Sequence, residues 1–257
     1  MIITDPCDAD ALLKDIRESA VHTGMQVTEL GFVGKYPLLL VEPKATTDEP
    51  HCLIGAGFHG EEPAGPWAVA KYLHDAAIAR RLITNVSFLP LVNPTGFCVC
   101  RRTNDWGENP NSGFCHIEKT QNKISIEGRI LLNHLPRLKE CAKGGFLSLH
   151  EDCDETMFYI YTFEATSFPG PFTQMLRSTE AHFFNSRPDG LCEGANLKDG
   201  VAFCHCDGSF EDFLFHEGSP RTACTETPGK LDLELRINAN VALIDAFIRF
   251  NANEGNK

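Results

Sequence analysis

The segment Gly55-Ala56-Gly57-Phe58-His59-Gly60-Glu61-Glu62-Pro63-Ala64-Gly65 sets a histidine and a glutamate three residues apart on a glycine-rich turn. An imidazole nitrogen and a carboxylate oxygen both suit Zn²⁺, and catalytic zinc takes three protein ligands and leaves its fourth position to water. His59 and Glu62 thus read as two ligands of a site that needs a third. Taken alone, so short a pattern is shared by solvated surface pairs, so its weight depends on what the rest of the chain brings to it.

Two elements must position this turn. The apolar run His51-Cys52-Leu53-Ile54 reads as a short buried strand before it, and Trp67–Ile83 carries helical periodicity after it. The turn therefore lies at a strand's C-terminal end, where the loops of open α/β sheets converge on a crevice. The same reading gives a helix over Asp8–Val21, strands over Met25–Phe32, Tyr36–Val41 and Asn85–Val92, and a turn at Asn93-Pro94-Thr95-Gly96. A long polar loop is predicted over Arg101–Asn122, then a helix over Ile126–Cys141 and strands over Gly145–Leu149 and Met157–Phe163. A helix near Pro171–Phe184, a glycine-rich region to Ser219, a strand over Arg221–Thr225 and a helix over Leu231–Asn251 complete the chain. His150 thus follows an apolar strand as His59 does, and Glu226 does the same in Thr225-Glu226-Thr227-Pro228-Gly229.

With 257 residues and 42% hydrophobic content, one sizeable core is affordable and residues 1–257 are read as a single domain. A net charge of -12 argues against nucleic acid as a partner, because phosphate binding needs clustered Lys and Arg. No stretch approaches a membrane span and the start lacks a signal-like segment, so no membrane partner and a cytoplasmic location are expected. The odd count of 11 cysteines then favours reduced thiols. Cys98-Val99-Cys100 and Cys204-His205-Cys206 each lack a second C-x-C partner and read as buried strand thiols before they read as metal sites.

The motifs GFHGEEPAG, LVNPTGF, RRTNDWGENPNSGF, LSLHED, GSFEDF and TETPG, in this order over residues 51–229, resemble the zinc carboxypeptidase family. The resemblance implies a mixed, mostly parallel twisted β-sheet with helices on both faces, a single α/β domain, and one Zn²⁺ held by His59, Glu62 and His150, other divalent ions being compatible with the same donors. It makes Glu226 the general base that takes a proton from a metal-activated water and passes it to the leaving amine. An arginine stabilises the developing oxyanion; Arg101 and Arg102 both compete for that role, and Arg102 matches the family phrase better.

Two departures bear on substrate. Asn111 matches a family residue that grips the terminal carboxylate, but the accompanying arginine position holds Ser112, so the bidentate clamp is missing. The position of the family's capping tyrosine falls on Cys204, with no tyrosine nearby in sequence and His205 as a possible hydrogen-bond donor. Arg187 and Lys198 lie in a loop that could supply a replacement cation, with nothing to select either. Glu211 falls at the floor of the side-chain pocket, where an acid favours Lys or Arg substrates. Hydrolysis of a short-peptide amide is the first expectation. A deacylase resembling succinylglutamate desuccinylase and aspartoacylase, with a similar H-G-x-E-x-x-G loop, is the second, and a metal-dependent peptide-binding protein without turnover the third.

Overall fold

The computed structural model describes residues 3–45, 50–114, 124–165 and 168–254. In chain order the elements are α1 (Ala9–His22), β1 (Met25–Val33), β2 (Tyr36–Pro43), β3 (Cys52–Ala56), α2 (Ala64–Ile78), β4 (Val86–Leu89), α3 (Pro94–Phe97), α4 (Ile126–Asn133) and α5 (Leu135–Cys141). There follow β5 (Gly145–Asp152), β6 (Tyr159–Glu164), α6 (Pro171–Glu180), β7 (Gly190–Cys192), β8 (Ala195–Leu197), β9 (Val201–Phe203), α7 (Phe210–His216), β10 (Arg221–Pro228) and α8 (Leu233–Glu254).

Eight strands form one sheet in the order β1-β2-β4-β3-β5-β10-β6-β9, and β7 with β8 make a separate hairpin. The central strands β4, β3, β5 and β10 run parallel, β1 and β2 at one edge are antiparallel to their neighbours, and β6 is antiparallel to β10 but parallel to β9. The sheet is therefore mixed and parallel at its centre, as expected. Side chains alternate between its two faces because the strand period is two. Ile54 and Leu147 pack with α1, α2, α6 and α8, whereas Leu53 and Phe146 pack with α4, α5 and α7. Helices cover both faces, and among the described residues no helix is long and apolar enough to cross a membrane.

Local chemistry explains where the elements differ from their predicted bounds. The predicted helix over 126–141 is two helices, α4 and α5, meeting at His134. Pro136 has no N–H to donate and its ring crowds the preceding turn, so the helix restarts there. α2 begins at Ala64, three residues ahead of the expected Trp67, because the Ala64 N–H donates to Glu151 Oε2 at 2.7 Å. A carboxylate at that end satisfies an orphan donor and complements the helix dipole. Of the predicted loop over 101–122, residues 115–122 lie outside the described residues.

The thiols also differ from expectation. Cys7 and Cys100 are joined in a disulfide, tying the segment before α1 to the residue before Arg101. Cys204 and Cys206 are exposed in the turn after β9 and are not buried strand thiols.

Candidate active site

Parallel strands leave their C-terminal ends side by side, and the sheet's centre does so at β3, β5 and β10. β3 runs into Gly57, whose φ of +66° and the 2.7 Å from an added Cβ to Leu91 Cδ1 both require glycine. Gly60 packs on the Asn93–Phe97 turn so closely that a Cβ would lie 2.1 Å from Gly96 C. The Asn93 side chain accepts from the Gly96 N–H at 2.9 Å and donates to Arg102 O at 3.0 Å, so the turn grips the arginine-bearing loop as well. His59 is thereby held from below. His150 lies within β5, and the register pairs it with Glu226 of β10. Both strands continue past their predicted ends, which puts these two side chains on the same face as neighbours.

His59, Glu62 and His150 are buried and converge. His59 Nδ1 is 2.6 Å from Glu62 Oε1, His150 Nδ1 is 2.8 Å from Glu62 Oε2, and the two Nδ1 atoms are 3.2 Å apart. Two nitrogens on one tetrahedral zinc with bonds of 2.0–2.1 Å are about 3.3 Å apart. Glu62 Oε2, despite its short distance to His150, completes no hydrogen bond. Burial opposes charge on all three groups, yet His59 and His150 outweigh it at Glu62 and hold its carboxyl well below the usual range. Burial lowers His150, but Glu62 outweighs this and pushes it up to about 9. Burial prevails at His59, whose pKa is lowered. Two imidazoles and a carboxylate arranged to keep one positive charge between them are a donor set that fits a divalent metal ion.

Around the cluster is a cavity of about 140 Å³. Glu226 lines it, with burial first and Glu62 second pushing its carboxyl up to about 8, against the opposing pull of His150. Of the two adjacent arginines, Arg102 faces the cavity, its Nη1 3.7 Å from Glu62 Oε1. Burial disfavours its charge, but Glu62 and Glu226 more than compensate and raise its pKa. Arg101 instead donates from Nη2 to Asn104 O at 2.8 Å and to Asp105 Oδ1 at 3.1 Å, folded back on its own loop. The structure does not bring it to the cavity.

Asn111, Ser112 and Glu211 also line the cavity. Asn111 Nδ2 donates to both Glu211 oxygens at 3.3 Å and lies 3.4 Å from His150 Nε2, while its Oδ1 accepts from the Phe210 N–H at 3.0 Å. Burial raises the Glu211 pKa despite the pull of His150. Ser112 Oγ donates to Asn109 O at 3.2 Å. His205 does not line the cavity; its ring packs against Tyr161 at 5.8 Å. The side chain of Arg187 pairs with Glu155, and neither it nor Lys198 lines the cavity. Glu151, next to His150, points to the opposite face, where it meets Ala64 and Arg236.

Sequence reading missed five residues that line the cavity, among them Cys224, whose Sγ is 3.4 Å from Glu226 Oε1. Asn109 Oδ1 lies 3.1 Å from His59 Nε2 and orients that ring. Tyr161, Glu193 and Asp207 line the remaining wall. No tyrosine lies near Cys204 in the sequence, but Tyr161 of β6 lines the cavity, paired with Cys224 of β10 and so on the same face as Glu226. The period-two pattern of Tyr159-Ile160-Tyr161 was the signal for it.

No family model and no curated protein matches the sequence. Solved structures do. A protein from Shewanella denitrificans designated a metallopeptidase is 39% identical, with 96% of this chain and 92% of that chain covered and a TM-score of 0.87. Another of that designation, from Shewanella baltica, is 38% identical, covering 96% and 94% with a TM-score of 0.89. A metallo-carboxypeptidase from Burkholderia cenocepacia shares the fold at 18% identity, covering 95% of this chain and 68% of that one with a TM-score of 0.66. Through the two near relatives the chain belongs to their metallopeptidase family, on a fold shared with the metallo-carboxypeptidase.

Proposed function

We propose that the protein is a metal-dependent amide hydrolase of carboxypeptidase type, acting on short peptides, with His59, Glu62 and His150 as ligands of a Zn²⁺ ion and Glu226 as general base. A divalent ion held there supplies Lewis-acid polarisation of the scissile carbonyl and brings the pKa of a water towards about 7. The observation that carries the reading is the register pairing of Glu226 with His150, which puts a carboxylate with a pKa near 8 beside the metal cluster in one cavity. In its ionised form, which a neighbouring divalent cation favours, Glu226 takes a proton from water and returns it to the leaving amine. Arg102 faces the negative charge that develops on the carbonyl oxygen.

Three acids, Glu193, Asp207 and Glu211, form the wall, and Arg102 is the one Lys or Arg among the described residues lining the cavity. That wall favours substrates with a cationic side chain or amine and supports the Lys or Arg preference read from Glu211. It disfavours the acidic N-acyl amino acids of the deacylase reading. Comparing a peptide panel with N-acyl amino acids separates the two. For the mechanism, Glu226→Gln should lower kcat by about 10³-fold with metal content unchanged; full activity in the metal-loaded variant would exclude Glu226 as the base.

A further inference from the structure

A second group of metal-ligating side chains lies outside the catalytic cavity. The candidate ligand atoms of Cys206, Asp212 and His216 are all within 4.8 Å of one another. Asp212 and His216 lie one helical turn apart on α7, with His216 Nδ1 3.0 Å from Asp212 Oδ1. Cys206 is exposed in the turn that leaves β9, a turn bent by the φ of 50° at Cys204.

The Asp212 carboxylate is the telling group. Only 7% of this residue is exposed. Its Oδ2 accepts the Gly208 N–H at 2.9 Å, which locks the side chain, but Oδ1 is buried and completes no hydrogen bond. The nearby His216 Nδ1 is 2.9 Å from the Asp212 carbonyl oxygen, and a hydrogen bond there leaves the carboxylate oxygen unsatisfied. A buried carboxylate oxygen that completes no hydrogen bond is costly unless a cation meets it. A thiolate, an imidazole and a carboxylate are a donor set for zinc or a similarly thiophilic divalent ion, and the thiol discriminates against Mg²⁺ and Ca²⁺.

We propose that Cys206, Asp212 and His216 form a second metal site, for a thiophilic divalent cation, on the outer side of the catalytic cavity's acidic wall. Each of two ligands is the immediate chain neighbour of a wall residue: Cys206 precedes Asp207, and Asp212 follows Glu211. An ion bridging Cys206 to α7 fastens the 204–208 turn to that helix, and with it the two acids that face the substrate. The site is independent of the hydrolytic reading above, since it shares no ligand with the His59, Glu62 and His150 cluster.

The protein with its Cys7–Cys100 disulfide intact and its other thiols reduced, stripped with chelator and reloaded with Zn²⁺, should hold two equivalents after desalting. Cys206→Ser combined with His216→Ala should hold one, as should His150→Ala, and the three substitutions together none. Loading with Co²⁺ gives a second readout, because a thiolate-to-cobalt charge-transfer band reports a cysteine ligand. That band should be present in the wild type, lost in Cys206→Ser and retained in Cys224→Ser, which removes the thiol beside Glu226. Retention of the other equivalent shows that each variant is folded. A stoichiometry unchanged by Cys206→Ser with His216→Ala, or a cobalt band that survives Cys206→Ser, would overturn the site and leave Asp212 and His216 as an ordinary ion pair.

Discussion

The two ends of the catalytic cavity are built by different means. At the metal end, His150 and Glu226 lie within β5 and β10 and His59 follows β3 by three residues, the three strands being paired in continuous parallel register. At the opposite wall the side chains hold one another: Asn111 bridges Glu211 and the Phe210 N–H, Ser112 bonds Asn109, and Tyr161 packs on His205. Main-chain ladders set the positions of His150 and Glu226 through the backbone, and the His59 turn is packed directly onto the end of such a strand. Side-chain bridges make the wall a set of mutually dependent residues, easier to vary and easier to disturb.

The difference can be broken most severely at the ladder end. His150→Ala should remove the metal of this cluster and all measurable hydrolysis, checked by elemental analysis and peptide turnover; retained turnover would mean that the reaction is run elsewhere. Next in size, Arg102→Ala should lower kcat by about 10²–10³-fold, whereas Arg101→Ala, whose side chain is engaged within its loop, should cost far less. Similar losses in the two variants would contradict the orientation seen for this pair. On the wall, Glu211→Gln should raise KM about tenfold for Lys- or Arg-ended peptides, through loss of one buried charge interaction, and spare metal content. Equal cleavage of Lys-ended and Leu-ended peptides by the wild type would remove the assigned preference.

The smallest effect on the reaction, and one visible only in stability, belongs to Glu180. It is fully buried on α6, and neither of its oxygens completes a hydrogen bond. Burial pushes its carboxyl from 4.5 up to about 8, with Thr227 giving slight relief. Between those values the folded chain holds a proton that the unfolded chain has lost, so stability falls as pH rises from about 4.5 to about 8 and levels off above. Glu180→Gln should flatten that slope and stabilise the fold at pH 8 by about 4 kcal/mol at most. Denaturant midpoints measured across this range test it, and parallel curves for the two proteins would show that Glu180 ionises freely in the fold.

Legibility follows the same division. His59, His150 and Glu226 stand out in the sequence because each ends or nearly ends an apolar run, and an apolar run is what a buried parallel strand looks like. Asn111 and Glu211 are separated by 100 residues and meet only through tertiary packing. Glu193 and Asp207 sit beside β7, β8 and β9, strands of three residues each, too short to show any period. The disulfide was hidden for another reason: Cys7 and Cys100 are 93 residues apart, and an odd cysteine count read as reduced thiols gives no pairing.

Glu151 stands next to His150 on β5 but faces the other way, meeting the first N–H of α2 and the guanidinium of Arg236 on α8. Synthesis runs from the N-terminus, so all three candidate ligands have been made 85 residues before Arg236 follows Glu151 into the growing chain. A nascent chain can therefore gather a metal ion before the strand carrying His150 is braced from behind. Glu226, too, emerges only ten residues ahead of that brace. Until α8 is in place, the strand that carries His150 lacks the ion pair behind it, and Glu226 is the last residue of the cavity wall to be added.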